Sequence, residues 1–132
     1  MSFLGSRSNE QVAELLARAQ VLLAPSVVAR DGNRESGLIV VKEASAAGVV
    51  PIGTRHGGIP DSIEDGETGF LVAEHDPLAL GQRLARLLGD PALRARLARA
   101  GRAKMEREFD NRAIVAQLED IYDEVCEGWT GP

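Results

Sequence analysis

The sequence lacks most features that mark membrane, secreted or nucleic-acid-binding proteins. Its single cysteine, Cys126, cannot form an internal disulfide, and its first residues show no charged segment followed by an apolar one, so no secretory signal is indicated. The longest candidate apolar run, Leu38 to Val41, is far shorter than the ~20 residues that cross a bilayer. A net charge of −5 argues against a general nucleic-acid binder. These absences favour a reducing, cytoplasmic location, and they leave a nucleotide ligand open.

The length of the chain bounds its organisation. At 132 residues the chain fits one domain and leaves no room for a second full one. A content of 44% hydrophobic and 27% charged residues is typical of a globular protein with a buried core. We therefore expect a single domain over residues 1–132.

Short apolar runs alternate with helical patterns along the first half of the chain. Ser8 and Gln11 form a capping box that predicts a helix start. Val21–Ala24, Val49–Gly53 and Phe70–Val72 read as strands, and the first two read as buried on both faces. The apolar face of the first helix would consist of Val12, Leu15, Leu16 and Ala19.

The segment between the first two strands predicts an unusually apolar helix. Ser36 and Gly37 open it, residues 38–47 are nearly all apolar or small, and Gly48 ends it as a left-handed cap. A helix that is apolar on every side is expected to be buried. We therefore expect this helix to pack inside the domain.

The C-terminal half predicts helices from about residue 77 to 127. Asp76-Pro77 and Asp90-Pro91 each cap and open a helix, and a last one follows Asp110. The inward side chains would be Leu80, Leu84, Leu87 and Leu88 in the first of these helices, and Ile114, Val115, Leu118, Ile121, Tyr122 and Val125 in the last. Strands alternating with helices predict an α/β fold, a doubly wound parallel sheet covered by helices, whose ligands bind beyond the carboxyl ends of the strands.

Two acidic residues flank the start of the apolar helix. Glu43 has no cation three or four positions away, and a buried carboxylate needs a polar partner. Helical rise over the eight-residue offset places its carboxyl group roughly 10 Å from that of Glu35. Between them, the helix N-terminus at Ser36-Gly37-Leu38 favours a phosphate. This order of carboxylate, anion site and carboxylate fits a sugar nucleotide.

Three segments, Glu35–Ala44, Thr54–Asp61 and Asp65–Val72, together resemble the C-terminal domain of family 4 glycosyltransferases, the "glycosyl transferases group 1". The resemblance implies the C-terminal half of a GT-B fold and a retaining hexosyltransferase of class EC 2.4. It also implies a role for each site residue. Glu35 would contact the hexose hydroxyls as the catalytic residue, and Glu43 would hold the ribose. Ser36, Gly37, Leu38 and Ile39 would bind the donor phosphates, and His56, Gly57 and Gly58 would line the cleft between domains.

The resemblance also implies partners that this sequence does not contain. The family's enzymes have an N-terminal acceptor domain, and their donor domain begins with two more strand and helix units that carry a diphosphate-neutralising arginine and lysine. We therefore expect a domain truncated at its N-terminus, catalytically incomplete alone, that works with an acceptor domain in cis or trans. The donor would be a UDP or GDP sugar, used without cofactor or metal in polysaccharide or glycoconjugate biosynthesis. A truncated sheet would expose a strand edge and favour self-association.

Other interpretations stay open beside this one. A second interpretation is a non-catalytic nucleotide-sugar-binding or interaction module, or an inactive fragment of the full enzyme. A third, a dinucleotide-binding domain, is set aside because this sequence lacks the Gly-x-Gly-x-x-Gly turn. His56 is either an acid or base or a polar group of its loop, and His75 belongs to a helix entry. Pro51 stands inside a strand one residue later than the family's usual proline, which predicts irregular pairing.

The late helices carry many basic residues. Their arginines and lysine form either a solvated helix face, which we favour because no aromatic residues interleave, or a patch for anionic lipid or RNA. Peripheral contact with the inner face of the membrane therefore stays open. We expect Ser45 to permit close packing rather than act as a nucleophile, and Cys126 to be inert. The basic residues are Arg83, Arg86, Arg94, Arg96, Arg99, Arg102, Lys104 and Arg107.

Overall fold

The structure, a computed structural model, describes residues 2–34 and 36–128 and contains a three-stranded parallel sheet with helices on both faces. This arrangement confirms the predicted α/β fold class. The elements in chain order are α1 (Asn9–Arg18), β1 (Val21–Ala24), α2 (Ile39–Ala46), β2 (Val50–Thr54), α3 (Ile59–Ser62), β3 (Phe70–Val72), α4 (Pro77–Gly89), α5 (Pro91–Glu108) and α6 (Asn111–Gly128).

The strands lie in the order β1-β2-β3, so β2 is central and all of its residues are buried. Val21 pairs with Val50 at the start of β1, and Ile52 pairs with Phe70 at the start of β3. Because all three strands are parallel, the loops that follow them leave from the same edge of the sheet. That edge is where ligands bind in open α/β folds.

Pro51 causes no break in the sheet, so the predicted irregular pairing is wrong. The N–H of Val50 donates to Gln20 O at 3.2 Å on the β1 side, and Leu22 pairs with Pro51 in continuous register. Since successive amides of a strand point to opposite sides, the missing N–H of Pro51 faces β3. Pairing with β3 starts one residue later, at Ile52. The proline therefore falls where the ladder needs no donor.

Each face of the sheet has its own helical cover. Helices α2 and α3 pack on a core cluster of Ala24, Val41, Ile59, Ile63 and Leu71. Gly53 permits this contact, since a Cβ there would lie 2.6 Å from Cγ2 of Ile59. Helices α4 and α5 cover the opposite face. Their cluster is formed by Val50, Ile52, Phe70, Leu87 and Leu97.

Local capping signals place the helix starts as expected. The N–H of Gln11 donates to Oγ of Ser8 at 3.3 Å, and the Gln11 side chain accepts from the Ser8 N–H at 3.1 Å, which confirms the capping box. Asp76 accepts from Ala79 N–H at 2.8 Å and Asp90 from Leu93 N–H at 2.9 Å. Each cap satisfies an amide that has no partner within the helix.

Complete burial of α2 and β1 was a wrong expectation. Helix α2 buries the side that carries Val41, Ala44 and Ser45, while Ile39 is 70% exposed and Glu43 is exposed. Strand β1 lies at the edge of the sheet, which leaves Leu23 40% exposed. The apolar composition of these segments predicts that they can be buried. Whether another segment covers each side depends on the rest of the fold.

The apolar stripe of α6 is also exposed instead of inward-facing. No residue of this helix is buried within the described chain, and its apolar side chains are between 43% and 63% exposed. The spacing of these residues correctly predicts an amphipathic helix. It does not predict whether another part of the domain covers the apolar stripe. Leu88 in α4 is likewise 57% exposed, because its neighbour Leu87 takes the inward position.

Several basic side chains of α4 and α5 contact other residues of the domain. Lys104 Nζ lies 2.7 Å from Glu64 and 2.8 Å from Glu108, and these hydrogen bonds, led by that of Glu108, raise the pKa of Lys104. Arg83 and Arg86 lie over the ring of Phe70 at 4.7 and 5.6 Å. Such pairing within the domain argues against an anion-binding patch. Lys104 is itself buried, so the expected solvated face is wrong for this residue.

Neighbouring leucines at the end of α4 provide a matched test of this packing. We expect Leu87→Ala to lower the free energy of unfolding by about 2–5 kcal/mol, because a fully buried side chain leaves a cavity. Leu88→Ala removes an exposed side chain and should change it by less than about 0.5 kcal/mol. Urea denaturation followed by circular dichroism measures both, and equal losses would contradict the described packing of α4.

Candidate functional site

The loops that leave the carboxyl ends of the three strands are bonded to one another. Thr54 Oγ1 donates to Ser26 O at 2.5 Å, which connects the end of β2 to the loop after β1. The N–H of Arg55 donates to Val72 O at 2.8 Å, which connects it to the end of β3. These bonds make the edge of the sheet a continuous, ordered surface.

The glycine pair lies directly against the segment that precedes α2. A Cβ at Gly58 would collide with the carbonyl oxygen of Ser36 and lie 3.4 Å from Cα of Gly37. Gly57 has a φ of +50°, a conformation that glycine adopts without strain. The structure thus brings together two predicted groups that are 20 residues apart, Ser36-Gly37 and Gly57-Gly58.

Helix α2 begins later than predicted. Its first residue is Ile39 and its N-cap is Leu38, so Ser36 and Gly37 lie in the preceding loop. Among the described residues no side chain caps this end. The N–H of Val41 donates to Leu38 O at 3.0 Å, whereas the amides of the two preceding residues have no acceptor within the helix. Those amides and the helix dipole favour an anion at this point.

Glu35, the predicted catalytic residue, lies outside the described residues. The estimate of its distance from Glu43 assumed a helical rise over the whole eight-residue offset. That assumption is wrong, because residues 36–38 are not helical and the helix begins only at Ile39.

Glu43 is exposed, so the argument that a buried carboxylate must meet a polar partner is wrong for it. It points away from the core because, at about 100° per residue, it lies opposite both Val41 and Ser45, which are buried. Glu43 borders a cavity of about 230 Å³ between α1 and α2 and another of about 490 Å³ beside Arg102 and Phe109. Its carboxylate is therefore accessible to a ligand on either side.

A cavity of about 350 Å³ opens beside the start of α2. We call it the Ser36 cavity, and its polar wall consists of Ser26, Asn33, Arg34, Ser36 and His56. Arg34 brings a permanent positive charge to it. The Ser36 cavity thus combines a cation with hydroxyl and amide groups close to the uncapped helix end.

His56 is buried and is more than a polar group of its loop. Its side chain is 1% exposed, and its Nδ1 lies 3.0 Å from Oε1 of Glu74. The other carboxylate oxygen of Glu74 accepts the N–H of Val28 at 2.9 Å. The hydrogen bond from Val28, followed by that from His56, holds the pKa of the Glu74 carboxyl below its usual value.

His75 lies in the entry to α4, where we expected it. Its φ of +60° places it in the left-handed region, directly before the capping residue Asp76. The residue is exposed, and it does not line the Ser36 cavity. We therefore assign His75 to the turn before α4 and not to the candidate site.

The sequence patterns did not single out Glu74 or Arg34. A signal for Glu74 exists, since it follows β3 by two residues and polar residues at the ends of parallel strands gather at one edge. Arg34 reads as an ordinary loop residue, and only the path of the loop brings it to the Ser36 cavity.

Within residues 2–34 and 36–128, no group of three or more His, Cys, Asp or Glu side chains is placed to hold a metal ion. None of the described helices is long and apolar enough to cross a membrane.

Ser45 is buried without a hydrogen-bond partner for its Oγ among the described residues, and it packs close to Gly101 of α5. Ser45 therefore serves close helix packing, and Cys126 is exposed.

Residues 1–104 match the sequence model of the family described as glycosyl transferases group 1. The N-acetyl-alpha-D-glucosaminyl L-malate synthase of Bacillus anthracis is 38% identical over 123 residues, which cover 93% of this chain and 30% of that protein. Sucrose-phosphate synthase from Thermosynechococcus elongatus has a TM-score of 0.84 at 30% identity, over 97% of this chain and 31% of that one.

A further solved structure shows the same fold. Anabaena Alr3699/HepE has a TM-score of 0.82 at 24% identity, covering 93% of this chain and 32% of its own. The chain thus spans less than a third of the length of these relatives. Because the family model matches most of its residues, this chain belongs to the glycosyl transferases group 1 family.

Proposed function

We propose that the chain is the donor-binding domain of a retaining hexosyltransferase of family 4, class EC 2.4, and that its single domain is the C-terminal half of a GT-B fold. It would hold a nucleoside diphosphate sugar while the hexose passes to an acceptor. Three parts of the site support this proposal: the uncapped helix end, the Ser36 cavity and the exposed face of α2.

The contact between Gly58 and Ser36 is the observation that carries the proposal. It holds the loop before α2 in place, and Ser36 of that loop lines the Ser36 cavity. We therefore place the amides that follow Ser36, those of Gly37, Leu38 and Ile39, at the phosphates. Two adjacent phosphate groups need several donors and positive charge, which the helix end and Arg34 provide together. We therefore assign the diphosphate to this point.

The exposed face of α2 leads from the phosphate position to Glu43. Ile39 and Glu43 are four residues apart, so they lie on the same face with a rise of about 6 Å between them. A nucleotide whose phosphates sit at the helix end would reach Glu43 with its ribose. Glu35 would then meet the hexose hydroxyls on the other side of the phosphates, as the resemblance implies.

The chemistry asked of these residues is electrostatic. As the bond between the anomeric carbon and the diphosphate breaks, negative charge grows on the departing phosphate oxygens. Oriented amides and Arg34 stabilise that charge in place, which lowers the barrier without a metal or cofactor. The protein's contribution is therefore a preformed anion site rather than a nucleophile.

The relatives suggest which donor to test first. Anabaena HepE is described in complex with UDP and glucose, and the Bacillus anthracis relative is named for a glucosaminyl group. Both names favour a hexose donor, and we propose UDP ahead of GDP as the nucleotide.

The acceptor would be held by a second domain. The relatives are about three times as long as this chain, which leaves room in them for such a domain. The free edge of β1 and the apolar stripe of α6 are the surfaces on which it, or a second copy of this chain, would pack. Glycoconjugate or polysaccharide biosynthesis is the process that such an enzyme would serve.

The first test is an NMR amide-shift titration of the chain with UDP and GDP in parallel, followed by their sugar conjugates. We expect shifts centred on residues 37–43, stronger for UDP, because the phosphates and ribose would contact that segment. Shifts elsewhere, or none in a folded sample, would contradict the assigned site.

Gly58→Ala tests the contact that carries the proposal. Its new methyl would push the carbonyl of Ser36 aside, so we expect UDP affinity to fall at least about tenfold, the loss of one strong hydrogen bond. Gly81→Ala is the matched control, since it lies in α4 with nothing within 4 Å of a Cβ. Calorimetry measures both affinities, and equal behaviour of the two variants would count against the proposal.

Glu35→Gln tests the catalytic assignment in an enzyme that also carries the acceptor domain. Transfer should be abolished while folding and UDP binding persist, because the substitution removes the negative charge and replaces one of the two accepting oxygens by a donating NH₂ group. Glu67→Gln, a change to an exposed acid in the turn before β3, is the control and should leave turnover unchanged. Unchanged turnover in Glu35→Gln would refute the role of this residue.

A further inference from the structure

We propose that Glu74 is a positioning residue of the donor site: it orients the imidazole of His56 and the loop after β1 in the wall of the Ser36 cavity. This inference rests on the proposed function, because it concerns the same phosphate position. It assigns a role to a residue that neither the sequence motifs nor the resemblance single out.

A single carboxylate connects the three strand ends at the site. Glu74 follows β3, its Oε2 accepts the N–H of Val28 in the loop after β1 at 2.9 Å, and its Oε1 lies 3.0 Å from Nδ1 of His56 in the loop after β2. The residues on either side of Val28 border the Ser36 cavity, and so does His56. Movement of this carboxylate would therefore move two parts of the cavity wall at once.

The hydrogen bond between Glu74 and His56 determines whether Nδ1 of the imidazole carries a proton. An ionised carboxylate only accepts hydrogen bonds, so Nδ1 of His56 must carry the proton. The ring is almost wholly buried, and an unpaired polar group there would be costly. The N–H of Val28 stabilises the ionised form of Glu74, whose pKa lies below its usual value. The ring orientation at the cavity is thus set from the β3 side.

Glutamine at position 74 separates this role from simple packing. Its side chain has the same shape but only one accepting oxygen and one donating nitrogen. It cannot accept from Val28 and His56 together. If its oxygen keeps the backbone N–H of Val28, its NH₂ group must donate to Nδ1 of His56, which can then no longer carry a proton.

The experiment compares the wild-type chain with Glu74→Gln by two measurements. Long-range ¹H–¹⁵N spectra of the imidazoles report which ring nitrogen is protonated, and the exposed His75 serves as an internal reference. Calorimetry gives the affinities for UDP and for uridine, which differ only in the diphosphate. Amide spectra verify that each variant is folded.

We expect Nδ1 of His56 to be protonated in the wild-type chain and unprotonated in Glu74→Gln. UDP affinity should fall about tenfold in the variant, as expected for one hydrogen bond to a charged group, while uridine affinity stays unchanged. Glu108→Gln is the matched control, since Glu108 also pairs with a basic side chain but does not line the Ser36 cavity. It should leave the His56 signals and both affinities unchanged.

Each contrary result overturns a specific part of the argument. An unprotonated Nδ1 in the wild-type chain refutes the orientation by Glu74, whatever the variant does. Equal losses of UDP and uridine affinity indicate a general loosening and refute a role at the phosphates. If the folded wild-type chain binds UDP and Glu74→Gln binds it with the same affinity, only this inference fails. If the wild-type chain binds neither UDP nor GDP, the proposed function fails, and the role of Glu74 fails with it.

Discussion

Parallel pairing of three short strands is the constraint on which the rest of this structure depends. Strand β2 is buried throughout, and both neighbouring strands run parallel to it, so the three strands end at one edge of the sheet, at Ala24, Thr54 and Val72. Hydrogen bonds between those ends then join loops that are far apart in sequence. The candidate site is a consequence of this geometry, because each of its described residues lies on a loop or helix that starts at that edge.

Contacts made by backbone atoms determine the shape of the site as much as side chains do. Gly58 has no Cβ because the carbonyl oxygen of Ser36 occupies that space, and this close approach holds the loop before α2. The helix that follows begins with amides that no described side chain caps. An anion site of this kind is specified by where glycines permit two segments to meet.

The predictions that succeeded from the sequence depend on neighbours a few residues away. The capping box of Ser8 and Gln11 and the caps of Asp76 and Asp90 are local, so their sequence patterns determine them. Predictions of burial failed because distant segments determine which side of a helix faces the core. In the helices of Glu43 and Leu88 that side carries other residues, so both side chains are exposed. Glu74 was missed for the same reason. Its partners Val28 and His56 are 46 and 18 residues away, and no local pattern relates them.

The mismatch between composition and burial in α2 bears on the function itself. The helix is apolar on nearly every side, yet Ile39 is 70% exposed and shares its face with the exposed Glu43. A surface that is apolar at the helix end and acidic one turn further suits a ligand with stacked or apolar parts and hydroxyl groups. A nucleotide lying along α2 would satisfy both, with its phosphates at the uncapped amides. Under the proposed function, the exposed face of α2 is part of the donor site.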